Sequence, residues 1–476
     1  MKRILHFALV LVVLTVLYSL SAHLLPAGVL GAMATTATTD IDEAMKVIFA
    51  EPLIDQTITD SELMAEFEGD TNVQTEETTG GRYIEMANLL QLPSGVGARA
   101  EGDYLPVPRG AAFKNTRVYL RKIMGVVEMT GDTMDRVRHD EGAFLNYSEQ
   151  ALPLLVENLK NDLDRQYAGF GAGIKARTTG TPVGPDVNGY YALGLKDSLG
   201  ILGFEDPWLQ FIEGDSIVFS ATPAGTALKN PGTGQAAVVV GLDEDTNTLT
   251  LSMAAGLAAA VAASDYIFNG DSAGSSSQAS GVDRELSGLL AAIDDGNIVD
   301  VYQNIDRTAS DSRLFRSIVI DGGAAPWAGA ITEDLLVYAD DVTRQRGGGK
   351  PDLVVMSLSA ARGYWKTLRA DRIFPDPKAY AGGMLPLSVR MADRVLSIKT
   401  ARKLPPQVVF GVQRNTFKRY HLGQWIWDDK TGSIWNRVTD GTGRKDAFYA
   451  VGKMYEQLCC TASRKNFRID GLSKVS

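Results

Sequence analysis

The chain has 476 residues, a formal net charge of −10 and a sequence pI of about 5.1, so it can hold two or three domains with real cores, but its surface as a whole repels nucleic acid. The only cysteines are the neighbours Cys459 and Cys460, and the four histidines (His6, His23, His139, His421) lack metal-ligand spacing. This excludes a disulfide scaffold and gives no reason to expect zinc or any other cofactor.

In chain order, Lys2-Arg3 followed by Ile4–Leu20 reads as a leader or membrane anchor, with small residues at Ser21-Ala22 and Gly31–Ala34. The composition changes abruptly at Met33, into Ala34-Thr35-Thr36-Ala37. The preferred reading of residues 1–32 is therefore a start assigned upstream of a true first residue at Met33, with no stable membrane partner. Asp40–Phe67 is amphipathic and opens like a helix, Asp70–Gly81 is a polar linker, and Arg82–Leu92 reads as a short strand or helical turn.

Ala98–Thr130 reads as a long polar hairpin, with Thr116–Ile123 and Val126–Thr130 interleaving β-branched residues with charges. A ribbon this charged has too little apolar surface to bury itself alone, which points to a chain that lies on another subunit. A long helix follows from about Ala143. Phe144, Tyr147, Ala151, Leu155, Leu159 and Leu163 form one apolar stripe, with Glu157, Lys160, Asp162, Asp164 and Arg165 on the other side. Pro153 is expected to kink it or mark its first turn, and Gly169, Gly171 and Gly173 end it.

From Trp208 to Ser272 the period becomes two. Ser216–Ser220, Ala236–Val240, Thr248–Leu251 and Tyr266–Phe268 predict a small β-barrel or sandwich inserted as its own domain, left through the flexible segment Ser272–Gly281. Helices are expected over Leu286–Ile293, Thr332–Arg346 and Ser357–Leu368, and strands at Leu353–Met356, Val395–Ile398 and Val408–Val412. A long apolar segment, Ala447–Ala462, closes the chain. The basic groups Arg117/Arg121/Lys122, Arg344/Arg346/Lys350 and Arg362/Lys366/Arg369/Arg372 read as solvated faces and subunit salt bridges rather than phosphate contacts.

A chemical rival is Gly270-Asp271-Ser272-Ala273-Gly274, a G-x-S-x-G elbow after the strand Tyr266–Phe268. A secreted serine hydrolase would need Ser272 as nucleophile, His421 as base and Asp334 or Asp371 as acid. Against it, Ser275–Gly281 is low-complexity where a helix must open, and no His-Gly-Gly oxyanion motif occurs. Gly347-Gly348-Gly349-Lys350 precedes Pro351, not the Ser or Thr of a P-loop. Asp243–Asn247 has Thr248 where a calcium loop needs Gly, and reads as a hairpin turn. The Lys453–Cys460 stretch reads as buried strand rather than redox site.

The order of parts resembles the tailed-phage major capsid proteins, whose α+β fold is named after phage Hong Kong 97 and shared with encapsulins. The likeness is carried by the hairpin running into Val126–Thr130, the helix Glu149–Ile174, Gly288–Gly296 with Val301–Arg307, and Pro351–Ser357 with the helix after it. The resemblance implies an N-terminal arm (33–97), an extension loop lying on a neighbouring subunit (98–130), and a peripheral domain with the spine helix (131–205). The β-rich insertion (206–280), an axial domain (281–425) and a return to the peripheral domain and tail (426–476) follow. Ala447–Ile469 would return to the peripheral sheet. It further implies a structural shell protein without catalytic residues, forming pentamers and hexamers around double-stranded DNA. Scaffold, portal and head-decoration proteins would be its partners, the bacterial host cytoplasm its site of assembly, and the virion its destination. An encapsulin-like compartment is the alternative within the fold. Lys114 lies near the loop tip, without an identified partner for a cross-link.

Overall fold

A computed structural model describes residues 62–69, 74–78, 81–108, 110–131, 147–229, 236–270, 284–371, 388–390, 394–423, 425–429, 433–440 and 443–475. The apolar stretch before Met33 and the elbow residue Ser272 lie outside them. The chain opens with helix α1 (Glu62–Gly69), strands β1 (Gln74–Glu77), β2 (Ile84–Gln91), β3 (Ala112–Val118) and β4 (Arg121–Thr130), and the long helix α2 (Tyr147–Ala168). Next come β5 (Ile174–Thr178), β6 (Tyr191–Lys196), β7 (Ser216–Ser220), β8 (Ala237–Asp243), β9 (Thr248–Ser252), α3 (Ala255–Ala260) and β10 (Tyr266–Asn269). The short helix α4 (Leu289–Ala292), β11 (Val301–Tyr302), β12 (Ile305–Asp306), β13 (Ile318–Asp321), α5 (Glu333–Gly347), β14 (Leu353–Met356) and α6 (Leu358–Asp371) follow. The last elements are β15 (Ser388–Arg390), β16 (Val395–Thr400), β17 (Val409–Val412), β18 (Phe417–His421), β19 (Ile426–Trp427), β20 (Trp435–Asp440), β21 (Gly443–Cys460) and β22 (Phe467–Asp470).

Two six-stranded sheets and a closed barrel organise these elements. The first sheet is built on β21, an 18-residue strand that pairs antiparallel with β4, β18, β19 and β20, while β1 joins β18 in parallel. The second runs β13-β22-β17-β14-β16-β15. In β14 all four residues are buried, because alternation sends Leu353 and Val355 into one core and Val354 and Met356 into another. The first core also holds α1, the α2 residues Leu159, Leu163 and Tyr167, all of α4, and Met454, Leu458 and Cys460 of β21. The second holds α5 and α6 residues such as Leu335, Leu336, Ala360 and Tyr364. Helix α5 is capped at Thr332, whose side chain accepts from the Leu335 N–H, and ends on Gly348 in the left-handed region (φ 62°).

The barrel closes in the order β10-β5-β6-β9-β8-β7 around its own core of Leu193, Phe219, Leu249, Leu251, Leu257 and Ile267. It therefore begins at Ile174, not near residue 206, because the chain leaving α2 at its glycines supplies two of the six strands. The sequence β5–β6 was hidden by the turn-rich stretch between them. At the other end, β22 does not stay with the first sheet: Phe467 and Ile469 enter the second core and β22 pairs with β13 and β17. The return after residue 426 thus serves both sheets.

Candidate assembly surfaces

The hairpin differs from expectation in register. Strand β2 pairs with β3 from Ile84↔Val118 to Gln91↔Ala112, whereas β4 turns away and makes ten consecutive residue pairs with β21. The arm is therefore 84–118 with its tip at 92–111, and 121–130 is part of the first sheet. Two adjacent strand-like runs read as one hairpin in sequence, but β3 pairs back to β2 while the partner of β4 lies more than 300 residues along the chain.

The base of the arm is fixed and its tip is not covered. Val118, Tyr420 and Cys459 are buried together, with Ile84, Met86 and Leu120 against them. The buried Thr116 hydroxyl accepts from Asn88 Nδ2 at 2.7 Å and donates to Met86 O at 3.2 Å. Arg117 lies 4.9 Å above the Tyr83 ring and 3.3 Å from Glu85. Beyond Gln91, by contrast, Val96 is 97%, Tyr104 91% and Leu105 88% exposed, and Leu92, Val107 and Phe113 are also exposed. A second apolar stripe crosses the outer face of the first sheet: Met124 and Val126 on β4 and Ile426 on β19 are exposed beside half-buried Tyr449, Val451 and Tyr455 of β21.

On the charged side of the helix Lys160 is exposed and Glu157 half-buried, whereas Asp164 and Arg165 are buried in a polar hub. Arg165 grips Glu285 with two hydrogen bonds (2.5 and 3.1 Å) and Asp162 with a third (2.9 Å). Burial would raise the Asp162 carboxyl, but the charges of Arg165 and Lys175 outweigh it and hold the group down at about 2. Asp164 Oδ1 accepts from the Leu63 and Met64 N–H groups (2.6 and 3.0 Å), satisfying the first turn of α1; burial pushes this carboxyl up to about 6. Tyr167 donates to Glu456, which Arg419 also grips at 2.5 and 2.9 Å. Two further buried arginines cap α4: Arg307 donates to Ala291 O (2.6 Å) and Ala292 O (3.0 Å), and Arg468 to Ile293 O (2.9 Å) while pairing with Asp294 at 3.0 Å. In this one-turn helix Leu289 O accepts from the Ile293 N–H at 2.8 Å, and the guanidiniums satisfy the carbonyls of Ala291, Ala292 and Ile293 that follow. Sequence reasoning missed this hub because nothing at the level of spacing connects residue 165 to 285 or 294 to 468.

The remaining sequence candidates are dispersed. His421 ends β18 with Nδ1 3.1 Å from Gly423 O, while Asp334 sits in the first turn of α5 against the second sheet and Asp371 ends α6. Lys114 is not free at the tip: it lies on β3, 3.3 Å from Asp311. Asp243 accepts from the Asp245 and Thr246 N–H groups in the β8–β9 turn. Gly347 and Gly348 finish α5, so no phosphate loop forms. Cys459 and Cys460 are buried, unpaired thiols, both shifted upward by burial. Among the described residues no helix is long and apolar enough to cross a membrane.

No family model and no curated protein matches the chain. Among solved structures, the capsid asymmetric unit of cyanophage A-1(L) aligns over 92% of this chain and 100% of its own, at 10% identity and a TM-score of 0.53. The capsid of a native GTA particle covers 93% and 100% at 8% identity (TM-score 0.44), and the holo-SrpI encapsulin complex of Synechococcus elongatus PCC 7942 covers 93% and 97% at 10% (TM-score 0.37). With two mixed sheets, a long helix and a projecting hairpin aligned over nearly its whole length with the cyanophage subunit, the chain has the α+β fold of tailed-phage capsid proteins.

Proposed function

We propose that the protein is a major capsid subunit that assembles with copies of itself, in rings of five and six, into a closed shell around double-stranded phage DNA. The observation that carries this reading is the arm 84–118. Its base is locked into the subunit, yet its tip presents large apolar side chains to water, and such a surface needs a cover from another molecule. Repeated identical contacts around closed axes supply that cover for every copy. The barrel, with a core of its own, is read as an inserted module of the subunit. Scaffold, portal and decoration proteins belong to the same proposal, as do assembly in a bacterial host and residence in the virion. This reading needs no catalytic triad, and His421 ends β18 of the first sheet while Asp334 lies in the first turn of helix α5.

The test is to express the full chain, separate it by size and image the largest fraction by negative stain. Icosahedral shells, or free pentamers and hexamers, are expected. A monodisperse monomer at every concentration overturns self-assembly, and one that cleaves an ester and loses that activity with Ser272→Ala establishes the hydrolase instead.

A further inference from the structure

Four arginines meet where three turns converge. Arg313 lies in the 3-10 turn Ser310–Phe315 with Arg316 just after it, Arg346 lies in the last turn of α5, and Arg464 in the turn Ser463–Lys465. They are held together by main-chain oxygens rather than by acids. Arg464 Nε donates to Arg346 O (2.8 Å) and its Nη1 to Arg313 O (2.7 Å), and Arg316 Nη2 donates to Thr308 O and Ala309 O (2.8 and 3.0 Å). Among the described residues no carboxylate forms an ion pair with any of the four; Asp311, in the same turn, is taken by Lys114. Burial, and then the charges of Arg313, Arg346 and Arg316, depress the Arg464 guanidinium below its ordinary range. Arg313, Arg346 and Lys465 are exposed, and a cleft of about 190 Å³ beside them is lined by Leu89 of the arm, Leu314 and Phe315.

Like charges gathered without counter-charges oppose the folded state, unless an anionic partner completes the site. The partner is argued from composition: the chain has 57 acidic residues against 47 basic, so any second copy offers carboxylates in excess. A phosphate backbone fits less well, since nucleic-acid binding usually comes with a basic domain and an extended stripe. We infer that the cluster of Arg313, Arg316, Arg346 and Arg464, with the Leu89–Leu314 cleft, is a docking surface for an acidic surface on a second copy of this chain. The inference rests on the shell reading and names a surface through which copies meet.

Charge reversal tests it. Among the described residues the side chains of Arg313 and Arg346 hold no hydrogen bond, and the carbonyls they lend to Arg464 survive substitution, so the pair can be changed without dismantling the turn. Full-length wild type, Arg313→Gln/Arg346→Gln and Arg313→Glu/Arg346→Glu are compared by sedimentation velocity over a range of concentration and salt. Wild-type self-association is expected to weaken as salt rises. The Gln pair should associate about tenfold less tightly, the Glu pair less still, and the residual association should lose its salt dependence. If wild type self-associates and both variants match it at every salt, the docking surface is overturned and the shell reading stands. If wild type is a monomer throughout, both fall. Two other results overturn the inference alone. One is an unchanged association with a lowered melting temperature at all protein concentrations, which places the acids in the same chain. The other is loss of binding to a short DNA duplex with normal self-association, which assigns the cluster to phosphate.

Discussion

Arg468 is almost fully buried, and its charge is shared between Asp294 at 3.0 Å and Asp470 at 2.9 Å. Burial alone would raise the Asp294 carboxyl, but the Val299 N–H, Arg468 and the Gly296 N–H together hold it below the ordinary aspartate range. Removing the guanidinium leaves that carboxylate buried and unpaired. Arg468→Ala is expected to cost about 3–5 kcal/mol in chemical denaturation. Asp164 behaves with the opposite sign. Its folded pKa of about 6 lies above the unfolded value of 3.8, so the cost of burying its charge is fully present above pH 6 and is relieved as the pH falls towards 4. Asp164→Asn keeps an oxygen for the Leu63 and Met64 N–H groups but cannot titrate. Wild type should therefore gain about 2 kcal/mol relative to this variant between pH 7.5 and pH 4, read as a narrowing or inversion of the difference in denaturation midpoints. A constant difference across that range would show that Asp164 does not titrate as a buried acid.

At the scale of elements, the end of the long helix is clamped by a neighbour with no side chain. A Cβ on Gly288 would stand 2.3 Å from both Gln166 O and Tyr167 O, so the chain entering α4 can pass the helix end only as glycine. Gly288→Ala should destabilise by about 1–3 kcal/mol and leave the separate barrel core folded, which hydrogen exchange of β6 and β9 amides would report. Many elements were legible because their periodicity is local: α5, α6, β14, β7 and β9 each fall close to the span their patterns mark. The failures have one cause. Strands β3 and β4 look like partners because they are adjacent, yet β4 pairs with a strand more than 300 residues later. Asp164 and Arg165 read only as part of the charged side of a helix, yet both are buried. Their burial depends on partners that no window of sequence contains.

Across the whole molecule, the arm is the part that can be removed without opening a core. Replacing residues 92–111 by a two-residue Asn-Gly turn keeps the β2–β3 ladder and every buried cluster. The expected outcome is an unchanged far-ultraviolet spectrum and melting temperature, with self-association reduced at least about tenfold in sedimentation. Association at wild-type strength would show that the tip is not a contact between copies.

The sequence by itself determined the acidic balance, the long helix, the β-rich middle, a buried strand near the end and the presence, though not the register, of a projecting arm. Each follows from composition or from a period of two or 3.6 residues, which the chain carries locally. Only the tertiary structure decided which strands share a sheet, where the barrel begins, that Asp164 and Arg165 of the long helix lie in a buried polar hub, and that four arginines from distant turns stand together with no ion-paired carboxylate among the described residues. Those are long-range pairings, selected by the joint burial of surfaces from all over the chain, and such surfaces have no separate signature before they meet.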